Sequence, residues 1–133
     1  MEKRGQVAIE YMILIGTLLV IIAFLAGYAI MMYNETISTT QFQSSTRNLA
    51  DSINNVYYLG NGNSMALDFI IPTNVVSIAF QDNSIETQIN SFGTITNDLI
   101  IVDTDVTGSI PIIIGTHKVL VKNINGDVNV SVI

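Results

Sequence analysis

The sequence has no cysteine, a single histidine, and only five lysine and arginine residues taken together. Without cysteine there is no disulfide, no thiolate metal site and no cysteine nucleophile. One histidine leaves little for metal ligation or acid–base chemistry. Set against eleven acidic residues, the five cations give a net charge of −6 and a pI near 4.3. Such a chain lacks the electrostatic footprint of a nucleic-acid binder. No G-x-S-x-G elbow and no phosphate loop occurs. These absences argue against an enzyme and imply no cofactor. Charged residues make up only 12% of the chain, and the mean hydropathy of +0.49 comes largely from one block near the N-terminus. At 133 residues there is room for one ordinary domain plus an appendage.

That block is the informative part. Lys3 and Arg4 are adjacent cations, followed at once by Gly5. From Tyr11 to Tyr33 the chain runs 23 residues without a charge or a proline. A helix of about 20 apolar residues spans the hydrocarbon core of a bilayer, and glycines such as Gly16 and Gly27 are tolerated in it. The cations ahead of the run place the N-terminus in the cytoplasm and everything after Tyr33 outside. The alternative is a cleaved secretory signal peptide, whose apolar region of roughly 7–15 residues would be followed by a small-x-small site. Here the run is longer, and Gly27-Tyr28-Ala29 is a poor match to such a site.

Glu10 does not suit a plain anchor. An ionisable residue at membrane depth is costly and points to function, whereas a carboxylate at headgroup level needs no explanation; position alone leaves both readings open. A cut between Gly5 and Gln6 would create an α-amine one helical turn from Glu10. The two charges would then neutralise within one chain or between neighbours, and such a pair would set the axial register of helices packed side by side. Cyclisation of Gln6 would remove that amine and leave Glu10 to find another partner or take up a proton.

Lys3-Arg4-Gly5, then Gln6-Val7-Ala8-Ile9-Glu10-Tyr11, then the apolar run, resembles the class III signal peptide of archaeal type IV-like pilins. That family's motif is usually Gln-x-Ser-x-Glu-Tyr; the chain matches it at Gln6, Glu10 and Tyr11 and departs at Ala8, which is also small. The resemblance covers about a dozen residues of motif and extends through the helix to about Tyr33. It implies a leader, residues 1–5, removed by a prepilin peptidase between Gly5 and Gln6. It implies a precursor held in the cell membrane. It also implies extraction, by an assembly ATPase and a membrane platform protein, into an extracellular helical homopolymer with apolar helices in its core and heads outside. Repeated head-to-tail contacts that do not close into a ring give such fibres. On this reading Gln6, Glu10 and Tyr11 serve assembly and register.

Beyond the apolar run, Phe42, Leu49, Ile53 and Val56 fall at spacings that make one stripe on a helix. The Ser-, Thr- and Gln-rich stretch from Ser38 to Thr46 weakens helix propensity. The pattern predicts one helix over about 6–58, loosened around 38–46, and about 80 Å long at the usual rise per residue. The alternative is a membrane helix, a stalk and a shorter second helix. Gly60-Asn61-Gly62-Asn63 ends it. The remainder changes to short β-branched runs with turn residues between them. It predicts strands near 65–71, 75–80, 84–89, 94–102, 110–114, 117–124 and 127–133, with Asp82-Asn83, Asn90-Ser91, Gly108 and Gly115 among the punctuation.

Asn125-Gly126 is a type I′ turn signal that sets Val121 opposite Val130, Val119 opposite Val132 and Asn123 opposite Val128. One face of that hairpin is apolar and the other mostly polar. The expected fold is therefore α+β: a helix over 6–59, with 11–33 as its membrane or filament-core half and an amphipathic upper half, then a small antiparallel β-sandwich or barrel-like head over 60–133. About 70 residues make a marginal core alone, so the stripe at Leu49, Ile53 and Val56 is expected to pack on the sheet.

The head offers little chemistry. Asp103-Thr104-Asp105-Val106-Thr107-Gly108 begins like a Ca²⁺ loop, but Ile114 stands where the closing carboxylate belongs; an acidic turn is the simpler reading. His117 is expected to face solvent. Asn34-Glu35-Thr36 and Asn129-Val130-Ser131 are N-glycosylation sequons, the second on the polar face of the last hairpin. Thirteen asparagines suggest a surface hydrated by amides, hydroxyls and glycans. Three functions fit: the structural subunit of a type IV-like pilus; a minor or adhesive pilin, or a pseudopilin, with a ligand-recognising head; and an uncleaved single-pass anchor carrying a small β domain with a binding role.

Overall fold

A computed structural model of the chain describes residues 2–133, with side chains from Lys3 onward. The fold is α+β: helix α1 (Glu2–Leu59) is followed by strands β1 (Ser64–Ile71), β2 (Val75–Gln81), β3 (Ser84–Ser91), β4 (Thr94–Ile101), β5 (Val106–Gly108), β6 (Gly115–Ile124) and β7 (Asp127–Val132). The chain divides into two units, residues 1–35 and Thr36–Ile133. The first is helix alone. The second combines the later turns of α1 with all seven strands.

In the first unit, Leu, Ile, Met and Ala favour helix and proline is absent. Every side chain from Lys3 to Asn34 is exposed. Thr17 Oγ1 donates to the Ile13 carbonyl at 2.9 Å, so its hydroxyl is satisfied without water. The helix is long and apolar enough to cross a membrane, and a continuous apolar surface of this extent requires a non-aqueous environment or a partner.

The loosening expected around 38–46 is not found: α1 continues through it. Hydroxyls turn back onto the helix, with Thr40 donating to the Thr36 carbonyl at 2.9 Å and Thr46 to the Phe42 carbonyl at 3.0 Å. These back-bonds satisfy the hydroxyls within the helix but do not strengthen it. Packing secures the rest, since Phe42, Leu49, Ile53 and Val56 are fully buried. The Phe42 ring meets Phe69 of β1 edge-on, with centroids 5.8 Å apart. Gly60, at φ +93, ends the helix, and its amide returns to the Tyr57 carbonyl at 3.1 Å. The orphan carbonyls of the last turn are taken by Asn63 and by the buried Asn123, whose Nδ2 reaches the Val56 and Tyr57 carbonyls at 3.4 Å each.

Two sheets complete the second unit, in orders β1-β6-β7-β5 and β2-β3-β4. The hairpin register follows the Asn-Gly signal: Val119 pairs with Val132, Val121 with Val130 and Asn123 with Val128. One core gathers the helical stripe with Phe69, Ile71, Ile85, Ile89, Val102, Val106, Val119, Val121, Val128 and Val130.

Three expectations need correction. The head is not wholly antiparallel, because β5 pairs in parallel with β7. The strand expected at 110–114 is absent. The pairing falls instead at 106–108, where Gly108 lies so close to β7 that a Cβ there would sit 1.9 Å from the Val130 carbonyl oxygen. Pro111 lacks an amide and cannot extend a ladder; Ile113 N donates to its carbonyl at 2.9 Å in a tight turn. Finally, β3 runs through Asn90-Ser91 and turns at Phe92-Gly93, with φ of 51° and 80°. Both signs fit a type I′ turn, but phenylalanine is a poor occupant of the left-handed region, which costs an ordinary residue roughly 1–2 kcal/mol.

Candidate functional site

Gly5 and Gln6 lie within α1, exposed, with nothing near the position a Gly5 Cβ would take. Gln6 precedes Glu10 by one turn of continuous helix, so a new amine at residue 6 would stand next to the Glu10 carboxylate along the helix surface. Glu10 heads a face shared with Ile13, Leu14, Thr17, Leu18 and Ile21. One carboxylate therefore borders an otherwise apolar stripe whose only other polar group, the Thr17 hydroxyl, is already bonded. Tyr11 is exposed on the adjoining surface. Gly16 and Gly27 have no atoms within 4 Å of their notional Cβ positions and leave open notches.

In the second unit the Asp103–Asp105 loop is organised by tertiary contacts. Tyr58 Oη donates to Asp103 Oδ2 at 2.6 Å, and Asp103 N donates to Asn54 Oδ1 at 2.9 Å. The Asp105 carbonyl accepts from Val128 N at 3.0 Å. The Tyr58–Asp103 contact raises the Tyr58 pKa above its ordinary value, through the hydrogen bond to Asp103 first and the carboxylate's negative charge second. Among the described residues no group of three His, Asp or Glu side chains could share a metal ion. His117 does not stand free in solvent; it is half-buried, with Nε2 2.6 Å from the Ile113 carbonyl.

The two sequons differ in setting. Asn34 is an exposed residue of α1. Asn129 is half-buried on β7 between β6 and β5, its Nδ2 donating to Thr107 Oγ1 at 3.3 Å.

Sequence reasoning missed the Tyr58–Asp103–Asn54 link and the capping role of Asn123. The first joins residues some 45 positions apart and leaves no local trace. The second had a signal: a lone amide on the apolar face of a hairpin must find partners once buried. The chain matches no known protein family, no curated protein and no solved structure.

Proposed function

We propose that this protein is the structural subunit of an archaeal type IV-like pilus, cut between Gly5 and Gln6 and polymerised through its N-terminal helix. The observation that carries the reading is one uninterrupted helix with two kinds of surface. From Tyr11 to Tyr33 its apolar side chains are exposed, and from Phe42 to Val56 its stripe is buried under the sheets. An exposed apolar surface of that length suits first a bilayer and then the flanks of neighbouring helices. Lys3 and Arg4 keep the leader in the cytoplasm. After cleavage the amine of Gln6 neutralises Glu10, and the pairing sets register between helices; an unpaired carboxylate in that apolar setting would cost several kcal/mol. The notches at Gly16 and Gly27 suit close approach of a neighbouring backbone. Prepilin peptidase, assembly ATPase and membrane platform protein are the partners this cycle needs.

The test is the intact mass and N-terminal peptide of the protein recovered from the surface of its own host. A chain beginning at Gln6 supports the filament subunit, and the same spectrum reports cyclisation and any glycan on Asn34 or Asn129. A chain beginning at Met1, from a host with an active prepilin peptidase, removes the basis of the proposal and leaves a membrane-anchored β domain.

A further inference from the structure

Asparagine followed by glycine occurs twice in the chain, at Asn61-Gly62 and Asn125-Gly126. It is the pair most prone to lose its side-chain amide without an enzyme. The glycine backbone nitrogen gives up its proton to base and attacks the asparagine Cγ. A nitrogen–carbon bond closes a five-membered imide, and the Cγ–Nδ2 bond breaks as ammonia leaves. Water then opens the imide at either carbonyl, giving aspartate or isoaspartate. Glycine hastens the attack because it has no Cβ to obstruct the ring. The reaction needs a glycine N–H that is free to lose its proton and a nitrogen that can turn toward the Cγ. Both pairs sit on exposed turns, so burial does not keep water or base from them.

One residue holds both glycine amides. Asn123, on β6, is only 2% exposed. Its side-chain Oδ1 accepts from Gly126 N at 3.0 Å. Its backbone carbonyl accepts from Gly62 N at 3.0 Å. The remaining groups fix it in place: its N donates to the Asn63 carbonyl at 2.9 Å, and its Nδ2 reaches the Val56 and Tyr57 carbonyls at 3.4 Å each. Every polar atom of Asn123 is therefore engaged, as a buried amide requires, and two of its bonds end on the nitrogens that would start the reaction. The reacting asparagines are tied to each other as well. Asn61 Oδ1 accepts from Asn125 N at 2.9 Å, and Asn61 Nδ2 lies 3.5 Å from Asn125 Oδ1. Thr104 Oγ1 donates to the Gly126 carbonyl at 2.8 Å and steadies the same turn.

We infer that Asn61 and Asn125 are latent deamidation sites that Asn123 keeps closed in the folded unit, Asn125 through its side chain and Asn61 through its backbone. An amide that donates to Asn123 has its proton turned away from solvent base and its nitrogen held away from the Cγ. The bond must open before the reaction can begin. Loss of one hydrogen bond of ordinary strength shifts such an opening roughly fivefold. The places of the two sites give the modification its effect. Asn125-Gly126 sets the register of β6 against β7, and an isoaspartyl link would lengthen the backbone by one carbon inside that turn. At Asn61 the change would remove the Nδ2 donor that faces Asn125 and add negative charge to a chain whose net charge is already −6. Ammonia is lost to solvent, so each event is permanent. The inference goes beyond the pilus proposal and concerns the Thr36–Ile133 unit alone. It does not depend on cleavage after Gly5, and the two can fail separately.

The test follows both pairs in the full-length protein, held in detergent micelles at mildly alkaline pH. Peptide mass spectrometry that separates aspartate from isoaspartate reports each site. In the wild type both sites are expected to react severalfold more slowly than in the same chain unfolded in urea. Asn123→Leu removes the acceptor of Gly126 N and keeps the backbone carbonyl that holds Gly62 N. In that variant Asn125 is expected to react roughly fivefold faster than in the wild type, with Asn61 unchanged. Equal acceleration at both sites overturns the inference, because general loosening then accounts for it. An unmoved Asn125 in a variant whose near-UV circular dichroism is native also overturns it, as do wild-type rates equal to those in urea. If Asn123→Leu loses native packing, hydrogen exchange of the wild type decides. Slow exchange at both the Gly62 and Gly126 amides supports the inference, and exchange of either at its unfolded rate overturns it.

Discussion

The backbone strain at Phe92 can be measured by substitution. Wild-type Phe92 combines two opposed terms. Its left-handed backbone costs roughly 1–2 kcal/mol. Its phenyl ring, about half removed from water, returns about 1 kcal/mol, half of what full burial of such a side chain gives. Comparing wild type with Phe92→Asn therefore predicts a difference near zero. The comparison that isolates the backbone is Phe92→Asn against Phe92→Ala. Both lose the ring, and only asparagine tolerates the left-handed region. The Asn variant then carries Asn-Gly, the pair already found at Asn125-Gly126. It should be more stable than the Ala variant by about 1 kcal/mol, which corresponds to about 4–8 °C in Tm for a unit of this size. The assay is thermal unfolding of the full chain in detergent micelles followed by near-UV circular dichroism. Equal midpoints for Asn and Ala, or a higher midpoint for Ala, would refute the strain argument.

Three further outcomes follow from the second unit. Phe42→Ala empties a fully buried site between α1 and β1 and should cost about 3–5 kcal/mol, lowering the same midpoint without changing the 11–33 helix seen in far-UV spectra. Gly108→Ala would drive a Cβ into the Val130 carbonyl at φ +126; a loss of about 3 kcal/mol or more is expected, with amide protection falling first along β5 and β7 in hydrogen exchange. Tyr58 should ionise above the ordinary tyrosine value of 10.0, because Asp103 holds its proton. The folded state favours the neutral phenol, so the contact's stabilisation is complete below that value and disappears as pH rises through the raised one. A titration that follows the Tyr58 ring itself by NMR, and finds it unmoved by Asp103→Asn, would contradict this.

Much of the fold was legible because its signals are local. The stripe from Phe42 to Val56 repeats at helical spacing, Gly60 stops it, and Asn125-Gly126 fixes the last hairpin to the residue. Where reading failed, a distant contact outweighed a local preference. Ser38–Thr46 is helical because Phe42 is locked against Phe69, while its hydroxyls are satisfied within the helix. Ile112–Ile114 has strand composition, but Pro111 and the approach of Gly108 to β7 move the pairing upstream. The Phe92-Gly93 turn was invisible because phenylalanine is the wrong residue for it. At the N-terminus the motif around Gly5, Gln6 and Glu10 is a sequence feature that concerns processing, and folding alone adds only its placement on one helical surface. The Tyr58–Asp103 and Asn123 contacts exist only once the sheets are in place.

Helix α1 has a consequence for how the β-rich part could be set free. Its apolar run and the stripe inside the core belong to one helical element. A protease cutting after residue 59 would release strands stripped of Phe42, Leu49, Ile53 and Val56, leaving the inner face of the sheets open to water. Any fragment that is to keep its fold must begin before Thr39, whose hydroxyl holds Asn74. A cut that leaves this packing intact must therefore fall ahead of Thr39, and a change in the helix sequence beyond that point is also a change in the core of the sheets.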